Sequence, residues 1–190
     1  MMTARGSDPT WTIFTGPMFG SKTTQLIAAV ERFKYQNKTV MVFKPRMDNR
    51  YEQDSIVTHM GSQLKAASVN SGEEILQMVR GSEKCDAVAI DEAFMIDGAA
   101  DACLELFGSG VSIVIASIQL SASGLPFDEI KDMMPYATRI EVCPAVCPET
   151  GRDAYYTARK RSDLDEIAVG GSDLYAPTCW EAHPHMNKGS

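Results

Sequence analysis

Apolar positions over the first two-thirds of the chain alternate between two periodicities. Trp11 to Thr15 is a short β-rich run that ends in a Gly- and Pro-containing loop, Gly16 to Lys22. Leu26, Ile27, Val30 and Phe33 then recur at helical spacing and predict an amphipathic helix. Thr39 to Phe43 reads as a strand stopped by Pro45. Ser71 with Glu74 three residues on fits a capping box and predicts a short helix through Ile75, Leu76 and Val79. Ala87 to Ile90 and Val111 to Ala116 are two further apolar runs. Apolar runs alternating with helical patterns predict an α/β fold, a parallel sheet flanked by helices.

The texture changes near Cys143. The remainder is rich in Pro, Gly, Cys and polar residues and holds too little apolar sequence for a second full core. It is expected to form a small lobe that needs a staple. The predicted division is residues 10–142 for the α/β domain and 143–185 for the lobe.

Charge and composition narrow the function. The 190-residue chain carries a net charge of −7, which disfavours direct nucleic-acid binding because duplex contact wants a basic face. No apolar run approaches a membrane span, and Met1 to Thr10 is polar with no signal-like apolar stretch. A cytoplasmic protein with no membrane partner is expected. Three of the five cysteines lie in the last quarter, which suggests metal or free thiols before disulfides.

Two short motifs carry chemistry. Gly16-Pro17-Met18-Phe19-Gly20-Ser21-Lys22-Thr23 sits between a strand and a helix, the context a phosphate-binding P-loop requires. Backbone N–H groups and a helix N-terminus would face the phosphates, Lys22 would balance the β/γ oxygens, and Thr23 would hold Mg²⁺. Ser21 stands where that pattern has Gly, so its Cβ is expected to crowd the phosphate path or strain the backbone. The run Ala87 to Ile90 ends in Asp91-Glu92. Asp91 is suited to orient Mg²⁺, and Glu92 is placed to take a proton from an attacking hydroxyl.

With these motifs in place, the chain resembles the small, tetrameric, zinc-containing thymidine kinases from about Thr12 to His183. The resemblance rests on Gly16 to Phe19, on Lys44-Pro45-Arg46-Met47-Asp48-Asn49-Arg50-Tyr51, on Thr58-His59 and on Asp91-Glu92-Ala93. It continues through Pro126-Phe127 at the end of a substrate-gripping lasso loop, Ala145-Val146-Cys147, Tyr156-Thr157-Ala158-Arg159, and Gly170-Gly171 through Tyr175 to Cys179. It implies ATP-dependent 5′-phosphorylation of a pyrimidine deoxynucleoside with Mg²⁺, a structural Zn²⁺ and a homotetramer or dimer. It implies Glu92 as general base, with Gly16 to Thr23 and Asp91 on Mg-ATP. Substrate contacts are implied at Met18, Asp48, Arg50, Ile118, Phe127, Val169, Gly170 and Tyr175.

The chain departs from the family at Ser21, Met60, Phe94, Ser117-Ile118-Gln119 and Ala122-Ser123. Two alternatives therefore stand beside the main reading. One is a kinase for a modified or different pyrimidine nucleoside, and the other is a catalytically weakened nucleotide-binding regulator. The family's second metal ligands are replaced by Thr150 and Ala182. Cys143 four residues before Cys147, and His183 four after Cys179, restore a Cys₃His set with shifted spacing that suits zinc. His185 is a substitute for His183, and the competing reading is that zinc is gone.

Overall fold

A computed structural model describes residues 8–47, 55–57, 63–160 and 172–186. The elements follow in chain order as β1 (Trp11–Thr15), α1 (Lys22–Tyr35), β2 (Val40–Pro45), β3 (Ser55–Val57), β4 (Gln63–Lys65) and β5 (Ala67–Val69). Next come α2 (Gly72–Arg80), β6 (Ala87–Asp91), α3 (Ala99–Gly108), β7 (Ser112–Ala116), α4 (Asp128–Met133) and β8 (Arg139–Val142). The last four are β9 (Ala145–Val146), β10 (Asp153–Ala154), β11 (Tyr156–Arg159) and β12 (Tyr175–Thr178).

Six strands form one sheet in the order β5-β2-β6-β7-β1-β8. Each neighbouring pair runs parallel. Strands covered on both faces are apolar at consecutive positions, and this explains the unbroken runs in β6 and β7. Val88 and Ile90 join the core beneath α2, α3 and α4, with Ile75, Leu106 and Ile130. Ala89 between them faces the other way, toward Leu26 and Val30 of α1. The β3–β4 hairpin adds Ile56 and Leu64 to that second face. Beyond β8, β9 pairs with β10 and β11 with β12, both antiparallel.

The predicted strands and the first two helices are present where the pattern placed them. Ser71 caps α2 by accepting from the Glu74 backbone N–H at 3.4 Å, and Glu73 and Glu74 sit favourably in the first turn. The third helix starts differently. Gly98 precedes it at φ +70° with no side-chain cap of its own. Instead Glu129, from α4, accepts from the Gly98 N–H at 2.8 Å and the Ala100 N–H at 2.7 Å. One carboxylate thus satisfies two orphan donors of a helix far away in sequence.

Glu129→Ala should therefore destabilise the protein by roughly 1.5–3 kcal/mol, the worth of hydrogen bonds to a charged group. Chemical denaturation checks this. An unchanged midpoint would show that water replaces the cap at no cost.

Candidate active site

Parallel α/β sheets bind ligands outside the carboxyl ends of their strands, and the candidate residues gather there. The candidate phosphate loop leaves β1 at Gly16, which has φ +126°. A Cβ on Gly16 would lie 2.4 Å from the Cys143 carbonyl oxygen, and one on Gly20 would lie 2.3 Å from the same atom. Both glycines are required because the chain leaving β8 presses its backbone against the loop. The Gly16 N–H donates to Gln119 Oε1 at 2.7 Å, and the Thr15 hydroxyl donates to the same oxygen. The Met18 N–H donates to the Thr157 hydroxyl at 3.0 Å, tying the loop to β11.

Ser21 sits at the N-terminus of α1 with φ +60° and ψ +19°. The left-handed region costs a residue with a Cβ roughly 1–2 kcal/mol. The side chain is exposed, so of the two expected consequences it is backbone strain that appears. Phe19 is left-handed too, at φ +67°. Lys22 is buried, and its ammonium donates to the Pro17 carbonyl at 2.5 Å.

Asp91 ends β6 and is buried. The Thr23 hydroxyl lies 3.2 Å from each of its carboxylate oxygens. Two hard oxygen ligands from different elements are thus brought together across the strand ends, a donor set suited to Mg²⁺. Glu92 follows at φ +48°, half-buried, and its N–H donates to Asp91 Oδ1 at 3.2 Å. The Phe94 N–H next donates to the Ser117 hydroxyl at 3.2 Å, joining the turn after β6 to the end of β7.

Ile118 and Gln119 follow the end of β7 into the lasso, which closes on itself. Leu120 bridges Pro126, the Ser121 N–H donates to the Leu125 carbonyl at 2.8 Å, and Gly124 turns the chain at φ +82°. The Phe127 N–H then donates to the Gln119 carbonyl at 3.1 Å. The Phe127 ring packs on Phe94 with centroids 4.5 Å apart. Tyr175, in β12, is buried with the Arg159 guanidinium 5.8 Å from its ring centre. Asp48, Arg50, Val169 and Gly170 lie outside the described residues.

The family model for thymidine kinase matches residues 10–183. The chain belongs to the thymidine kinase family. It is similar to the thymidine kinase of Bacteroides fragilis, 29% identical over 172 residues that make up 90% of this chain and 85% of that protein. Membership makes it a deoxynucleoside kinase, an enzyme that uses ATP to phosphorylate a nucleoside. No helix among its described residues is long and apolar enough to cross a membrane.

The expected Cys₃His zinc set does not assemble. No three His, Cys, Asp or Glu side chains among the described residues are grouped to hold a metal. Cys143 belongs to the main core beside α1, with its backbone on the phosphate loop. His183 is buried with both ring nitrogens engaged: Nε2 with the Thr157 carbonyl at 3.1 Å, and Nδ1 with the His185 and Met186 N–H groups at 3.1 and 3.2 Å. Accepting at Nδ1 puts its proton on Nε2 and leaves no lone pair for a metal. Burial, the larger effect, also lowers its pKa. His185 is exposed and is no substitute. Cys147 and Cys179 alone share a cluster. Thr150, whose hydroxyl is 3.5 Å from Cys179 Sγ, is the first cause holding the Cys147 thiol below its usual pKa range.

Three contributors escaped sequence reasoning: Gln119 and Thr157, which bond the phosphate loop, and the Cys143 carbonyl, which shapes it. Their bonding to the loop is long-range, and no local pattern announces it.

Restoring glycine by Ser21→Gly should relieve the left-handed strain. Stability should rise by about 1 kcal/mol, and ATP affinity should rise or hold. Thermal unfolding and calorimetric titration with ATP measure both. A fall in stability would mean that the Ser21 side chain contributes more than its backbone costs.

Proposed function

We propose that this kinase transfers the γ-phosphoryl group of Mg-ATP to the 5′-hydroxyl of a pyrimidine deoxynucleoside. The observation that carries the reading is the Thr23 hydroxyl set 3.2 Å from both oxygens of Asp91, with Glu92 next in the chain. Thr23 and Asp91 would hold the Mg²⁺, which when bound neutralises charge on the phosphates. The Gly16–Thr23 backbone and Lys22 would cradle the phosphate oxygens. Phosphoryl transfer has little covalent chemistry for a protein to perform, so positioning and charge do most of the work.

Glu92 is assigned the general-base role. It holds a left-handed backbone at φ +48°, a strained state that clusters at functional sites. From the strand end it would accept the 5′-hydroxyl proton as the oxygen attacks phosphorus. Met18, Ile118, Phe127 and Tyr175 are assigned to the base pocket; Asp48, Arg50, Val169 and Gly170, in segments outside the described residues, are assigned to substrate binding more generally. A homotetramer or dimer is the assembly the family resemblance supports, and a cytoplasmic location is the expectation from the sequence.

Glu92→Gln should leave ATP binding nearly intact and lower turnover by about 10²–10⁴-fold, the usual worth of a general base. Single-turnover kinetics with a nucleoside panel, read by product mass, test both the acceptor and the role. Undiminished turnover would remove Glu92 from the mechanism.

The lasso suggests a second, finer reading. Where the family has Phe-Arg, this chain has Ala122-Ser123, and Phe94 rather than a Gln packs on Phe127. Lost volume and a more apolar wall favour a pyrimidine enlarged at C5. In a series of 5-substituted deoxyuridines, kcat/KM should hold or rise beyond methyl, by a graded factor of roughly 10–200 at most. A steep fall for every larger group would mean a pocket closed by other side chains.

A further inference from the structure

The small lobe contains two thiols that phosphoryl transfer does not use. Cys147 follows β9 and is fully buried, and Cys179 follows β12 and is 7% exposed. They share one apolar cluster with Ala145 and Ala154, and Phe19 and Ala182 pack against it. Thr150 joins them: its hydroxyl lies 3.5 Å from Cys179 Sγ. Both thiols therefore sit in one small buried cluster, with the Thr150 hydroxyl against Cys179. Arg152 adds a guanidinium 3.9 Å from Cys179 Sγ while pairing with Glu181.

Thr150 and Ala182 stand at the spacings where the family resemblance calls for second metal ligands. A hydroxyl and a methyl cannot complete a tetrahedral thiolate site. Of the expected ligand positions, Cys147 and Cys179 remain together in one buried cluster. Yet a small lobe with little core still gains from a staple.

We propose that Cys147 and Cys179 form a reversible disulfide that fastens the β9–β10 hairpin to the end of β12, taking the place of a metal. The co-reactant is a low-molecular-weight disulfide. Cys179, the more exposed sulfur and the one beside Arg152, attacks it as thiolate, forms a mixed disulfide and expels one thiolate. Cys147 then attacks Cys179 Sγ and expels the second. The two protons leave on the two released thiols, the protein loses two electrons, and the small disulfide gains them. The closed loop runs from 147 to 179 and carries Tyr175, so the oxidised state restrains the segment assigned to the substrate.

Whole protein purified without chelator is equilibrated in glutathione buffers from fully reduced to fully oxidised. Free thiols are alkylated, and digests are read by mass spectrometry alongside zinc analysis and thermal unfolding. The expected result is a Cys147–Cys179 linked peptide, no stoichiometric zinc, and a melting temperature roughly 10 °C higher in the oxidised wild-type. The shift should vanish in Cys147→Ser and persist in Cys103→Ser. The comparison of oxidised with reduced wild-type stands even where a variant fails to fold. Thiols still reduced in excess glutathione disulfide, a link to another cysteine or another chain, or a link without a thermal shift would each overturn the proposal. So would one zinc per chain with both thiols protected from alkylation.

Discussion

The Cys143 carbonyl oxygen occupies the space that side chains on Gly16 and Gly20 would need. Much of the site depends on this close approach. It presses the backbone leaving β8 onto the phosphate loop, so the loop cannot relax outward. The loop must then turn through left-handed residues at Phe19 and Ser21. Hydrogen bonds from Gly16 to Gln119 and from Met18 to Thr157 hold its two sides. A loop held by the Cys143 backbone on one side and by the Gln119 and Thr157 side chains on others keeps a fixed shape, and fixed shape is what positioning a ligand requires.

That clamp also explains how distant segments form one site. β1 and β6 are separated in the sheet by β7, yet Thr23 and Asp91 touch. They do so because α1 starts at the carboxyl end of β1 and packs back over β6 and β7 through Leu26 and Val30. Gln119, following the end of β7, bonds the loop with its side chain and Phe127 with its backbone. Phosphate side and lasso side thus share one residue. Movement of the lasso would be felt at Gly16 through a single amide.

The segment from β9 onward packs differently. Its core is a handful of small residues around two thiols, in contrast to the long aliphatic clusters of the sheet. His183 illustrates the difference. Its sequence spacing from Cys179 suits a metal ligand, but its ring is spent on backbone groups of β11 and the following turn. A buried imidazole with neither partner would cost more than it returns, so backbone donors and acceptors claimed it. Spacing counts residues along a chain and says nothing about which neighbours compete for a nitrogen.

The sequence by itself determined the parallel α/β architecture, because runs such as Ala87 to Ile90 are apolar on both faces and must be covered twice. It also placed the glycine-containing turn of residues 16–23 and the acidic strand end, whose features are local: a turn, a helix start and two adjacent carboxylates. The Ser71 N-cap was legible for the same reason, although the Glu74 carboxylate pairs with Arg46 and Asn70 instead of completing a capping box. Only the tertiary structure decided what lies between segments. Glu129 caps a helix thirty residues away, with bonds spanning 29 and 31 positions. Gln119 reaches Gly16 across 103 positions. Cys143 contributes its carbonyl and not its thiol to the site. Such contacts depend on where the folded backbone carries an atom, and side-chain identity along the chain does not encode that position locally.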